Sequence, residues 1–142
     1  FEGHPMNFGG KWEFDFGTLH YVVAQHSSVF PDGTYGGNPG GFVLVNDEGS
    51  IYIAGDTALT MDMKLIPLFA SLDLAILPIG DNFTMGIDQA VMAAEFVNCD
   101  RVLGYHYDTF GYIKLDRELA TKKFHIKDKE LILLDIGDFI EI

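Results

Sequence analysis

Residues 18–28, TLHYVVAQHSS, alternate between apolar and polar side chains and are rich in β-branched and aromatic types, which predicts a strand ending near His26. The following FPDGTYGGNPGG is punctuated too densely by Pro and Gly to hold a ladder and predicts a loop. FVLVNDEGSIYIAGD carries two short apolar runs around a polar turn, the pattern of a β-hairpin. TMDMKLIPLFASL predicts a short helix that Pro67 interrupts or ends. LDLAILPIGD is a continuous apolar run of the kind found in strands buried on both faces. In MGIDQAVMAAEFVNC, Ile87, Val91, Ala94 and Val97 recur at helical spacing, and Asp88 falls in the first turn, where the helix dipole favours a negative charge. RVLGYHYDTF predicts a further buried strand ending at His106, LDRELATKKF a short helix, and ELILLDIGDFIEI a closing hairpin. Hairpin strands followed by strand-helix-strand-helix units imply an α/β fold, a mixed β-sheet with flanking helices, built as a single unit over residues 1–142.

The polar residues able to carry chemistry fall at one kind of place. His26, Asp56, Asp81 and His106 each lie at or just past the C-terminal end of a predicted strand, where layered α/β folds gather the loops that build sites. Charge narrows the partners. A net charge of −12, from 21 acidic against 9 basic residues, disfavours long nucleic acid, because the basic residues are scattered apart from Lys122-Lys123 and Lys127 with Lys129. The lone cysteine, Cys99, excludes an intrachain disulfide and fits a reducing compartment, so the cytosol is the expected location. No run approaches the roughly 20 apolar residues a bilayer span needs, and no basic-then-apolar leader opens the chain. It begins at Phe1 rather than Met, which leads us to expect that something upstream has been cut away or left out.

Asp56 sharpens the question. A carboxylate delivered by an apolar strand, with Gly55 before it and Thr57 after it, must find hydrogen bonds, solvent or a metal. Two imidazoles and a carboxylate suit zinc, manganese or iron, although spacings of this length do not by themselves fix a geometry. Plainer readings compete: Asp56 capping the next helix, and His26 or His106 bonded to backbone at a strand end.

The words around these residues decide between them. AQHSS, GNPGGFVL, IYIAGDT, DMKLI, LDLAILPIGDNFTMG, AAEFV and HYDTF resemble, in this order, the second half of the metallo-β-lactamase-fold hydrolases, in the branch of metal-dependent hydrolases related to ascorbate-phosphate lactonase. The resemblance runs from about Phe8 to the end, and AGDT followed by PIGDNFTMG is its most specific part. It implies the C-terminal half of a four-layer αββα sandwich and two divalent metal ions, zinc foremost, with manganese, iron or nickel as alternatives. By this likeness His26 matches the family's third motif, Asp56 the carboxylate that bridges the two metals, and His106 the last histidine ligand, with Asp56 and His106 at the centre of catalysis. Asn38, Thr57, Asp81 and Asn82 are weaker candidates for supporting the ligands or touching substrate.

The family's first motif, His-x-His-x-Asp-His, has no counterpart, since His4, His20, His26, His106 and His125 are not so spaced. The resemblance therefore implies a partner polypeptide carrying the N-terminal half, a small-molecule substrate and an oligomer. The implied reaction is attack of a metal-activated water or hydroxide on a small ester, lactone or phosphoester. Two other functions stay open: a non-catalytic binding or assembly subunit of the same fold, and cleavage of a nucleotide or RNA phosphodiester. Of the remaining histidines, His20 is expected on the sheet, His125 in solvent and His4 in a loop.

Overall fold

The computed structural model describes residues 3–142. Among these, seven strands form one sheet in sequence order: β1 (Lys11–Phe14), β2 (Gly17–Val23), β3 (Gly40–Asn46), β4 (Gly49–Ile53), β5 (Leu74–Pro78), β6 (Arg101–Tyr105) and β7 (Glu130–Ile132). Neighbours from β1 to β4 pair antiparallel, and those from β4 to β7 pair parallel. Since β2 runs the same way as β4, the C-terminal ends of β2, β4, β5, β6 and β7 share one edge of the sheet with the start of β3. The parallel connections need crossovers. These are a 3-10 turn, Met61–Leu68, and the helices α1 (Ile87–Phe96) and α2 (Arg117–His125).

Register divides the sheet into two unlike faces. Val43, Tyr52, Ala75 and Val102 occupy paired positions on one face and are fully buried. They share a core with Ala90, Ala93 and Ala94 of α1, small residues that let that helix approach the sheet closely, and with the large Phe124 of α2. The opposite face is equally apolar, with Tyr21, Phe42, Ile53 and Ile76 in paired positions and Leu44 beside Ile51. It is only partly covered: Trp12 remains 50% exposed and Ile53 38%. His4 stacks on Trp12, Phe8 stacks on Tyr21, and Ile142 lines a hollow with Leu44 and Ile51, so the terminal segments shield only its margins.

Several expectations need correction. The closing hairpin does not form: β7 spans only Glu130–Ile132, and the chain then turns, with the Asp138 N–H donating to Asp135 O at 3.0 Å. A strand requires a hydrogen-bonded partner, and DFIEI pairs with none among the described residues. The stretch after Thr60 is a 3-10 turn holding Pro67 inside it, capped by the Thr60 hydroxyl accepting the Asp62 N–H. β2 ends at Val23, three residues before His26, and β1 was not foreseen. His20 lies on the helix-covered face, stacked on Phe69 at 5.1 Å, where burial and then nearby Lys11 lower its pKa. His4 is in a loop and His125 is exposed at the end of α2, as expected.

Candidate metal centre

The loops leaving β2, β4 and β5 are tied together at the shared edge. The Gln25 N–H donates to Thr57 Oγ1 at 2.9 Å, and the Ala58 N–H donates to Gln25 O at 3.0 Å. The Met85 N–H reaches Thr57 O at 3.2 Å. Thr57 is fully buried, and its hydroxyl donates to Ala58 O, so it clamps the loops instead of facing a ligand. Gly55 makes the turn before Asp56 with φ +65°, and a Cβ there would lie 2.7 Å from Gly40 O. Glycine is thus required twice over, by conformation and by the approach of β3.

His106 follows β6 directly, in a left-handed conformation at φ 59°. Its backbone crosses the end of β5 so closely that a Cβ on Gly80 would lie 1.9 Å from His106 O. This crossing carries the imidazole from β6 toward β4: His106 Nε2 stands 3.6 Å from Asp56 Oδ2. Gly80→Ala is therefore expected to push His106 off Asp56 and to destabilise the fold by about 1–3 kcal/mol. Denaturant titration and metal content check this, and no change in either would disprove the crossing as the cause.

Among the described residues, neither ring nitrogen of His106 finds a hydrogen-bond partner, and Nδ1 is buried. The 3.6 Å gap to Asp56 is too long for a hydrogen bond. Two donors sharing one ion, each at about 2.1 Å, stand about 3.4 Å apart, so the pair fits a divalent cation between them. His26 Nδ1 donates to Ser27 O at 2.9 Å, which fixes its tautomer and leaves the Nε2 lone pair free. Metal-ligating histidines are commonly oriented in this way.

The three candidate ligands do not form one cluster. No group of three or more His, Cys, Asp or Glu side chains able to hold an ion is found among the described residues. Asp56 and His106 meet, while His26 stands on the loop after β2, next to Gln25, which is hydrogen-bonded to Thr57 and Ala58.

The weaker candidates serve the loops. Asp81 Oδ1 accepts the Asn82 N–H at 2.8 Å, and both residues are exposed and left-handed, at φ 63° and 58°. Asn38 Oδ1 takes the Tyr35 hydroxyl, and Asn38 O takes that of Tyr21 at 3.1 Å. Sequence reading missed Gly80 and Tyr105. The Tyr105 hydroxyl is buried without a partner, and burial, then Asp56 and Tyr52, push its pKa up, so the phenol stays protonated. It also missed Asp108, left-handed at φ 60°, which accepts the Leu115 N–H at 2.9 Å and pairs with Arg117. These contacts hold its carboxyl below the usual range and pin the loop that follows His106. The available signal was Asp and Asn just past strand ends, the residues that best tolerate φ > 0.

Helices on one face of a mixed sheet, an open apolar face opposite, and donor side chains along one edge define the class: one half of a layered αββα sandwich. The chain belongs to the β-lactamase superfamily domain family, which matches residues 1–107. It is 63% identical over 142 residues to a UPF0173 metal-dependent hydrolase of Christiangramia forsetii, covering all of this chain and 63% of that protein. A metal-dependent hydrolase of the same group from Thermus thermophilus is 46% identical over 138 residues, covering 97% of this chain and 61% of the relative. Among solved structures, a metallo hydrolase from the archaeon Ignicoccus hospitalis superposes with a TM-score of 0.88 at 28% identity, covering 100% of this chain and 61% of that one. The chain thus spans about three fifths of the length of the relatives it matches.

Proposed function

We propose that this chain supplies the C-terminal half of a metal-dependent hydrolase, in which Asp56, His106 and His26 hold two divalent ions, zinc foremost. The observation that carries the reading is the Asp56–His106 pair, a carboxylate and an imidazole facing each other at 3.6 Å with no other partner for either ring nitrogen among the described residues. When bound, the ions supply a hydroxide at neutral pH and polarise the oxygen under attack. The chain's own contribution is placement. Asp56 offers two oxygens from a turn clamped by Thr57, His106 is held over β5 by Gly80, and Ser27 O keeps the His26 ring with Nε2 available.

The remaining ligands come, in this reading, from a polypeptide segment bearing His-x-His-x-Asp-His, packed on the open apolar face. The extra length of the relatives and the half-exposed Trp12 and Ile53 support it. Small esters, lactones and phosphoesters are the substrate class, and the cytosol is the proposed location, on the strength of the single buried Cys99.

A non-catalytic assembly role is the second reading, favoured by the absence of a three-ligand group among the described residues. Metal analysis of the full-length protein separates them. Two ions per chain, with hydrolysis lost on chelation and regained on zinc addition, are expected. A metal-free protein that turns over nothing after zinc addition establishes the second reading.

A further inference from the structure

The edge that carries Asp56 and His106 also carries exposed aromatic and aliphatic side chains on its loops. Residues 28–36, between β2 and β3, fold into a small hairpin flap with its own hydrogen bonds. The Phe30 N–H donates to Thr34 O, the Gly33 N–H to Phe30 O and the Gly36 N–H to Ser28 O, around a Val29–Tyr35 bridge. Its turn, Pro31-Asp32-Gly33, is further fixed by Asp32 Oδ1 accepting both the N–H and the hydroxyl of Thr34. Short isolated hairpins are marginal in water, and this one holds its shape while leaving Val29, Phe30 and Tyr35 66%, 56% and 69% exposed.

A second apolar element stands on the other side. Phe83, on the loop after β5, and Phe110, on the loop after β6, touch with ring centroids 5.9 Å apart, yet both are about half exposed. Strand order sets the sequence along the edge: flap, Asp56, Phe83, His106, Phe110. Along the edge, Asp56 therefore stands between the flap and the phenylalanine pair, and His106 between the two phenylalanines. The hairpin turns at the opposite edge carry the acidic Asp15, Asp47 and Glu48 together with a single exposed aromatic, Phe16. On a chain of net charge −12, apolar side chains gathered on the loops around one site mark a ligand surface.

We infer that the substrate carries an apolar acyl or aryl group beside its scissile bond, gripped between the flap residues Val29 and Phe30 and the Phe83–Phe110 pair. This rests on the hydrolase reading above and narrows its substrate class. Each methylene taken from water into such a grip is worth about a factor of four in kcat/KM. The test uses the full-length, zinc-loaded protein with 4-nitrophenyl acetate, butyrate, hexanoate and octanoate, and Asp56→Ala identifies the turnover that belongs to the site.

The expected result is a kcat/KM at least tenfold higher for octanoate than for acetate, with the ratio lowered at least threefold by Phe30→Ala and by Phe83→Ala, chiefly through KM. Calorimetric binding of free octanoate should weaken by a similar factor in the same variants, which reads the grip without turnover. Asp56-dependent hydrolysis that is flat or falls with chain length overturns the apolar grip and leaves the hydrolase reading standing. Absence of any Asp56-dependent ester hydrolysis, with octanoate binding equal in wild type and both variants, overturns the apolar grip, while the hydrolase reading is decided by the metal analysis above.

Discussion

Asp56→Ala in the full-length protein is expected to lower turnover by more than about 100-fold, the upper end of what removing a group that only orients a ligand costs. Metal content should fall with it. The structure makes this a clean experiment, because the Asp56 side chain is 42% exposed and its one ionic contact, to His106, is long. Exposed pairs of this kind contribute roughly 0–1 kcal/mol, so the variant should remain folded. Asn38→Ala and Asp81→Ala should each cost less than about tenfold, since Asn38 answers to Tyr35 and Tyr21, and Asp81 to the Asn82 backbone. Metal analysis beside steady-state kinetics checks all three. Unchanged metal content and turnover in Asp56→Ala would sink the ligand assignment.

Residues 1–142 expressed alone are expected to aggregate, bind metal weakly and hydrolyse nothing. The complementary segment should restore metal binding and activity together. Tyr21, Phe42, Leu44, Ile51, Ile53 and Ile76 form the reason, an apolar sheet face shielded only at its margins. Covering it calls for an interface of more than about 2,000 Å², the size and character of obligate complexes. Sedimentation, metal analysis and activity of the separate and mixed pieces give the answer. A stable monomer of this chain that holds two ions and turns over an ester or phosphoester would overturn the half-site reading.

The parts of the fold legible in the sequence are those where local pattern and tertiary pairing agree. β3 and β4 are read from two apolar runs around Asn46-Asp47-Glu48-Gly49, β5 from an unbroken apolar run, and α1 from Ile87, Val91 and Ala94 on one side. DFIEI has strand composition and fails, because Gly137 at φ 102° and the Asp135–Asp138 turn lead it away from the strand it would pair with, and Ile142 comes to rest against Leu44 and Ile51. Pro and Gly content alone marks the flap as plain loop, although Pro31-Asp32-Gly33 between two apolar positions is a turn signature. At the site, Asp56 and His106 were legible as strand-end residues in the right words. Their meeting followed only from the family resemblance, because it depends on Gly80 letting one strand's exit cross the end of the next, a relation between segments that no local pattern records.

That crossing also bears on how the protein folds. Asp56 and His106 are fifty positions apart and come together only after β4, β5 and β6 have paired in parallel, each through its own crossover. Contacts of such long loop closure form late, and parallel pairing is slow for the same entropic reason. An ion that needs both side chains finds no site in the unfolded chain or in a partly paired one. Its affinity is then added to the stability of the finished sheet alone, growing with the logarithm of free ion concentration. In the metal-bound protein proposed above, supply of metal during synthesis would select the correctly paired sheet over its slipped or incomplete forms.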